Sequence, residues 1–489
     1  MNLFRADMKF KTAFLAFSSV LSLFLSPSVH AIELSECRIG SEDSINRVKA
    51  ECGTLQVAEN RENPSRMIDL NIAIVRTDSI KKKNDPVIML AGGPGQAAVE
   101  TYPQVASGFR HILKDRDIIL VDQRGTGKSN PLKCHFDESL MEKMQDDEEL
   151  YFSELKKCVK DLDADTRFYT TTESIKDLEQ VRQALNIEKW NLIGISYGTR
   201  KALTYVKMFP DAIRSVILDG VVPQQEALAQ HHEQNLQHAL SKQFEQCEKQ
   251  AACKKAFGDV EQQMWQLLEE VDKNPKTIRL QNFMSGEYED VTITKEYITI
   301  AIRMFAYSSS SMNLLPLMIA QANHGQLETI AAQANMIASM MTKSMTNVEM
   351  SIVCAEDLPF YRFEEAQGNT LFDKDYLRKT EKSCAIWPHV TVDASFKQAV
   401  KSDLPILLLS GELDPVTPPE FAETAKQTLS NSRHLIAKGQ GHNIFPLGCM
   451  PKIIAEFIQE PDKLQEIDIK CMDNFDYTPF FINMMGPKQ

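Results

Sequence analysis

A chain of 489 residues with a formal net charge of −13 is long for one compact core and too acidic to favour nucleic acid or an anionic membrane surface as partner. Its ten cysteines, an even number, are compatible with full pairing in an oxidising compartment. No C-x-x-C and no cluster of Cys and His has metal-ligand spacing.

At the N-terminus, Arg5, Lys9 and Lys11 precede an apolar run from Thr12 to Leu25, broken by Ser26-Pro27-Ser28 and followed by Val29-His30-Ala31. This is the pattern of a cleaved secretory signal over residues 1–31, too short for a membrane anchor. No twin arginine is present, and no later stretch is long enough to span a bilayer. Removing three Lys or Arg and one Asp leaves the exported chain more acidic still.

Strands are expected at Ile68–Val75, Val87–Leu90, Ile118–Val121, Trp190–Ile193 and Ser215–Asp219, with a helix over Glu173–Leu185 capped by Thr172. Such alternation predicts a mainly parallel sheet covered on both faces, with reactive loops at the carboxyl ends of the strands. Val87–Leu90 opens into Ala91-Gly92-Gly93-Pro94-Gly95-Gln96, a loop whose backbone N–H groups could approach a developing oxyanion. Asp122 and Arg124, in Asp122–Ser129, lack phosphate-loop spacing and are expected to form a structural ion pair and turn.

Trp190–Ile193 runs directly into Gly194-Ile195-Ser196-Tyr197-Gly198. This reads as a nucleophile elbow: a strand ends, the chain turns sharply with Ser196 at its tip, and a helix begins near Thr199. A Cβ at either glycine would collide with so tight a turn. The amides of Gly93 and Tyr197 are then the expected oxyanion donors.

The middle, Gln224 to Ser402, breaks the strand–helix rhythm and is rich in Gln, Met and Ala. Leu327, Ile330, Ala331, Ala334 and Ile337 share a helix face, Ser308–Ser311 is expected to connect helices, and Met336, Met340, Met341 and Met345 are assigned to packing. The region is expected to be a helical cap over the site. His231, His232 and His238 are assigned to a solvent-facing helix side, and His111 and His135 have no partner pattern.

The last core elements follow. The apolar run Leu404–Ser410 precedes Gly411-Glu412-Leu413-Asp414, and His434–Ala437 precedes Gly439-Gln440-Gly441-His442. Asp414 is placed to orient His442, and His442 to take the Ser196 proton and deliver it to a leaving group. The domain order is therefore signal 1–31, core 32–223, cap 224–402 and core 403–489. The nearest-neighbour disulfide scheme is Cys37–Cys52, Cys134–Cys158, Cys247–Cys253, Cys354–Cys384 and Cys449–Cys471, each pair closing a short excursion between elements; sequence cannot fix this connectivity.

The order Ser196, Asp414, His442 is that of the α/β-hydrolases. With Gly92–Gly95, Val121–Ser129, Gly194–Arg200, Gly411–Pro419 and Gly439–His442, the chain resembles the prolyl aminopeptidase family, and within it the secreted tripeptidyl aminopeptidase-like branch. Ala91 departs from the histidine that many prolyl aminopeptidases carry there, which favours the secreted branch. The resemblance implies an α/β-hydrolase fold with an inserted helical cap, and removal of N-terminal residues or short peptides from peptide substrates without metal or organic cofactor. A free α-ammonium needs a carboxylate in the pocket. Glu356 and then Asp357, beside Cys354, are the candidates, in a segment similar to an acidic one of that branch; surface acids or a structural ion pair are the other reading. An esterase or lipase, or an inactive binding protein on the same scaffold, are the rival functions; acyl-ester hydrolysis without action on free-amine peptides, or failure of a fluorophosphonate to label Ser196, distinguishes them.

Overall fold

A computed structural model describes residues 32–487 except 41–45, 135, 137–139, 141–143, 145–146, 282–285, 335–346, 364–370 and 372–374. The expected signal segment, His135, Ile337 and the four cap methionines lie outside the described residues.

Nine strands form one sheet: β1 (Ser35–Ile39), β2 (Val48–Ala58), β3 (Met67–Val75), β4 (Val87–Leu90), β5 (Ile118–Val121), β6 (Trp190–Ile195), β7 (Ile213–Asp219), β10 (Ile406–Gly411) and β11 (Ser432–Ala437). Their order is β1-β2-β3-β5-β4-β6-β7-β10-β11. The first three pairings are antiparallel, and every pairing from β5 to β11 is parallel. β4 and β5 are buried throughout, as parallel strands covered on both faces must be. Along β6 the side chains alternate between two cores. Leu192 packs with Ile175, Leu178 and Leu203 on one face, and Ile193 with Tyr102, Phe109 and Phe457 on the other.

The first of these cores is closed by the helices Thr171–Ala184 and Tyr197–Met208. Thr170, not Thr172, caps the former: its backbone is extended, and its side chain accepts from the Glu173 N–H at 3.3 Å. Three consecutive threonines offered the cap, and the extended residue three places before Glu173 is the one whose oxygen reaches that N–H.

Between β7 and β10 the chain leaves the sheet. It forms the helices His232–Lys249, Val260–Lys273, Lys295–Ala306 and Leu315–Asn323, packed around their own buried cluster. Leu327, Ile330, Ala331 and Ala334 are part of that cluster. An antiparallel hairpin, β8 (Lys276–Gln281) with β9 (Tyr288–Ile293), interrupts the helices; its alternating residues Ile278, Leu280, Val291 and Ile293 carried that signal. Ser308–Ser311 connects the helices Lys295–Ala306 and Leu315–Asn323, as expected, and does so through a single helical turn, Ser309–Met312. Among the described residues no helix is long and apolar enough to cross a membrane.

Disulfides join Cys37 to Cys52, Cys134 to Cys158, Cys247 to Cys253, Cys354 to Cys384 and Cys449 to Cys471. The first ties β1 to β2, and the last ties the start of the helix Met450–Gln459 to a turn near the C-terminus.

Candidate active site

β6 ends at Ile195 and the next helix begins at Tyr197, two residues before the expected start. Ser196 between them has φ 56° and ψ −124°, a conformation L-residues rarely adopt. Its N–H donates to the Asp219 carbonyl at 2.8 Å, and its carbonyl accepts from the Thr199 N–H and hydroxyl at 2.8 and 2.7 Å. The flanking glycines leave no alternative, since a Cβ at Gly198 would stand 2.0 Å from the Leu90 carbonyl oxygen and one at Gly194 2.5 Å from that of Gly198.

Asp414, 2% exposed, lies just beyond β10. One carboxylate oxygen accepts from the Val416 and Thr417 N–H groups, each at 2.8 Å; the other accepts from the Thr417 hydroxyl and from His442 Nδ1, each at 2.8 Å. With four donors on it, the carboxylate cannot turn away from the imidazole. Burial opposes charging His442, but the Asp414 carboxylate outweighs it and holds the imidazole above its ordinary value. Nδ1 faces Asp414, which leaves Nε2 for a reacting group.

Ser196 follows β6, and the loop after β11 brings His442 over the end of β7, the neighbour of β6. Ile195 pairs with Asp219 across β6 and β7, and a Cβ on the next residue, Gly220, would lie 3.0 Å from His442 Cε1. The Ser196 hydroxyl makes no hydrogen bond to the imidazole in this arrangement. Asp219, which sequence reading gave only a strand end, is fully buried and accepts from the Ile444 and Phe445 N–H groups at 3.0 Å each. Burial pushes its carboxyl up to about 6, against the pull of those two donors. It thus anchors the loop that carries His442. Thr417 and Asp219 are functional supports that the sequence did not single out; a hydroxyl three residues after Asp414 was the available signal for the first.

The Gly92–Gly95 loop passes directly against the elbow: a Cβ at Gly92 would lie 3.0 Å from Ser196 Cβ. Gly93 and Tyr197 both line the cavity that Ser196 faces. Below this loop, Asp122 accepts from Asn71 Nδ2 at 2.7 Å and the Val99 N–H at 2.9 Å. Arg124 does not pair with Asp122 as expected; it clasps Asp177 at 2.6 and 2.7 Å. Both are structural, but each of these neighbouring charges is satisfied by its own separate set of partners.

The cavity, about 590 Å³, lies between this edge of the sheet and the cap. Apolar walls come from Ile300, Met304, Met350 and Phe421, and its charges include Glu226, Glu296, Glu349, Arg303 and Lys379. His232 also lines it, and its Nδ1 accepts from the Arg303 guanidinium at 3.3 Å, so this histidine is not solvent-facing; burial and the Arg303 charge hold it well below its ordinary value. His231 pairs with Glu226 at 2.7 Å, while His238 is exposed.

Neither Glu356 nor Asp357 lines this cavity. Both are fully buried. Glu356 accepts from the Thr171 N–H and hydroxyl at 2.6 and 2.7 Å. Asp357 accepts from Arg200 at 2.9 Å, Lys397 at 2.6 Å and the Leu228 N–H at 3.0 Å. Two half-buried carboxylates line the cavity: Glu226, which pairs with His231, and Glu349, whose carboxyl burial raises, only partly offset by Arg303. Among the described residues, no three or more His, Cys, Asp or Glu are grouped as metal ligands.

Comparison with known proteins gives a consistent picture. Residues 85–448 match the family described by the alpha/beta hydrolase fold. The Escherichia coli (strain K12) protein YuaR, named as a hydrolase, is 30% identical over 222 residues, covering 42% of this chain and 44% of that protein. Serine protease Hip1 of Mycobacterium tuberculosis (strain ATCC 25618 / H37Rv) is 25% identical over 241 residues, 45% of this chain and 46% of that one. Proline iminopeptidase of Heyndrickxia coagulans is 30% identical over 135 residues, 28% of this chain and 34% of that one. The matched segments span less than half the length of each of these relatives.

Proposed function

Because this chain belongs to the alpha/beta hydrolase fold family, we propose that it is an exported serine aminopeptidase that releases N-terminal residues or short peptides. The observation that carries the reading is the strained Ser196 at a strand–helix turn, beside the Asp414–His442 pair and under a cap. Relatives named as a serine protease and a proline iminopeptidase favour a peptide over other acyl substrates.

In this reading His442 Nε2 accepts the Ser196 proton as Oγ attacks the carbonyl carbon of the scissile bond. A rotation of the serine side chain brings the two within hydrogen-bond distance when substrate is bound. The oxyanion is met by the N–H groups of Gly93 and Tyr197, each contributing roughly 3 kcal/mol to transition-state stabilisation. The imidazolium, stabilised by Asp414, then gives its proton to the departing amine. Water, deprotonated by His442, cleaves the resulting acyl-enzyme and returns the proton to Ser196. The cap closes the cavity above, so that a chain end, not a folded loop, reaches the serine.

The substrate ammonium needs a counter-charge, and Glu349 is the proposed one in place of Glu356 and Asp357, whose oxygens are already committed. Burial raises the Glu349 carboxyl, and a substrate ammonium beside it would favour its charged form. Export suits five disulfides in one chain.

The test is a peptide library with free and acetylated N-termini, run with a fluorophosphonate probe. Expected results are probe labelling lost in Ser196→Ala, cleavage confined to free-amine peptides, and a KM raised about tenfold or more for those peptides in Glu349→Gln. Hydrolysis of acyl esters with none of free-amine peptides would replace the aminopeptidase with an esterase.

A further inference from the structure

Tyr197 faces two ways. Its main-chain N–H is the first of the helix after Ser196, while its phenol runs into the interior and its oxygen lies 2.6 Å from Thr171 Oγ1. The Thr171 hydroxyl has one proton, and it is directed to Glu356 Oε2 at 2.7 Å; Thr171 therefore accepts from Tyr197. Glu356 Oε1 accepts the Thr171 N–H at 2.6 Å, which fixes the threonine at both its donors. The row is thus directional, from the Tyr197 phenol through Thr171 to a carboxylate of the cap. Tyr197 is 1% exposed and Thr171 and Glu356 are 0% exposed, so water cannot replace a lost member.

The cap segment that delivers Glu356 is built for this contact. Val353–Asp357 is a π-helical turn, a form whose extra residue per turn rotates successive side chains away from the ordinary helix phase. Two consecutive acids thereby reach the core together, Glu356 at Thr171 and Asp357 at Arg200. Arg200 stands three residues after Tyr197, on the same face of the helix that follows Ser196. The cap thus holds that helix at adjacent points, and the Cys354–Cys384 disulfide ties the same turn to the helix Asp375–Ile386.

We infer that Glu356, acting through Thr171 and the Tyr197 phenol, is a positioning residue for the Tyr197 N–H, so that the cap sets one half of the oxyanion site. The inference rests on the reading of that N–H as an oxyanion donor. Such donors work within a few tenths of an ångström of a fixed point, and a misplacement of about 1 Å can cost roughly a hundredfold in rate. The peptide unit in question follows a residue at φ 56°, a strained conformation that the surroundings must hold in place. It is held by the Ser196 N–H on the Asp219 carbonyl and, through the Ser196 carbonyl, by the Thr199 N–H and hydroxyl; on the side-chain side it is held by the phenol.

The experiment compares wild type with Tyr197→Phe, Glu356→Gln, their double variant, Thr171→Val and Thr171→Ser. Fluorophosphonate titration counts competent sites, and the phosphonylation rate and kcat are expressed per titrated site. Expected is a loss of about 10- to 100-fold in both rates for Tyr197→Phe and Glu356→Gln, with KM unchanged within about twofold. The double variant is no slower than the slower single one, because the row acts as a unit. Thr171→Ser, which keeps the hydroxyl, restores most of the rate lost in Thr171→Val. A loss confined to stability and titratable fraction, or additive losses, would mean a mere staple between cap and core and would overturn the inference. A wild type that takes the probe at Ser196 but cleaves no free-amine peptide overturns only the peptidase reading, and the phosphonylation rates still decide this one. A wild type that takes no probe overturns both.

Discussion

The ring of Tyr307 stands edge-on to the imidazole of His442, with centroids 5.4 Å apart and planes at 83°, and the Tyr307 carbonyl accepts the His442 N–H at 2.8 Å. Tyr307 directly follows the cap helix Lys295–Ala306. The histidine therefore rests on the cap on one side and on Asp414 on the other, and the cap is part of what holds the site together.

The neighbour of that histidine has no room to change. A Cβ on Gly441 would lie 2.5 Å from the Tyr307 carbonyl oxygen, closer than any real contact. Gly441→Ala should push the His442 backbone off Tyr307, lowering kcat by about tenfold or more while the protein still folds. Steady-state kinetics with a thermal melt checks this; an unchanged kcat would show that the Tyr307 contact does not matter to the base.

The pH profile follows from the charge of His442. The base must be neutral, so kcat/KM should rise with pH, with a midpoint above the ordinary imidazole value of 6.5 because Asp414 favours the cation. Asp414→Asn removes the cause, so the midpoint should move down in pH as the plateau falls by ~10⁴-fold. Rates between pH 4 and 9 for both proteins check it. A midpoint that stays put in the variant would assign the limb to another group.

The Cys449–Cys471 bridge closes 22 residues just beyond the His442 loop, and half the helix Met450–Gln459 is buried in the second core. Loop-closure entropy assigns such a bridge about 3 kcal/mol. Cys449→Ser with Cys471→Ser should therefore lower the melting temperature by several degrees and reduce kcat, through loosening of the loop that carries His442. A variant that melts like wild type would show that packing around Ile453 and Phe457 already fixes this segment.

Much of this molecule could be read from the sequence by short-range sterics. The elbow is one case: an apolar strand, two glycines four residues apart and a serine between them allow one tight geometry, because Gly194 and Gly198 each abut a backbone carbonyl. The buried strands Val87–Leu90 and Ile118–Val121 are another, since unbroken aliphatic runs leave no solvent face. The fold family follows from these and from the order of Ser196, Asp414 and His442.

Only the tertiary structure decided which acids meet the cavity. Glu356 lies 185 residues from Thr171, and its direction depends on a π turn that shifts helical phase by one residue, which no periodicity in Val353–Asp357 discloses. Docking of the cap spent Glu356 and Asp357 on the core and left Glu349 at the cavity. The same holds for the supports of His442: Asp219 at the end of β7, Thr417 in the loop after β10 and Tyr307 after a cap helix come from three separate stretches of chain, and their contacts exist only once folding has brought those stretches to one edge of the sheet. Local sterics act between neighbours in the chain, whereas a charge chooses its partner from whatever folding places within about 3 Å of it.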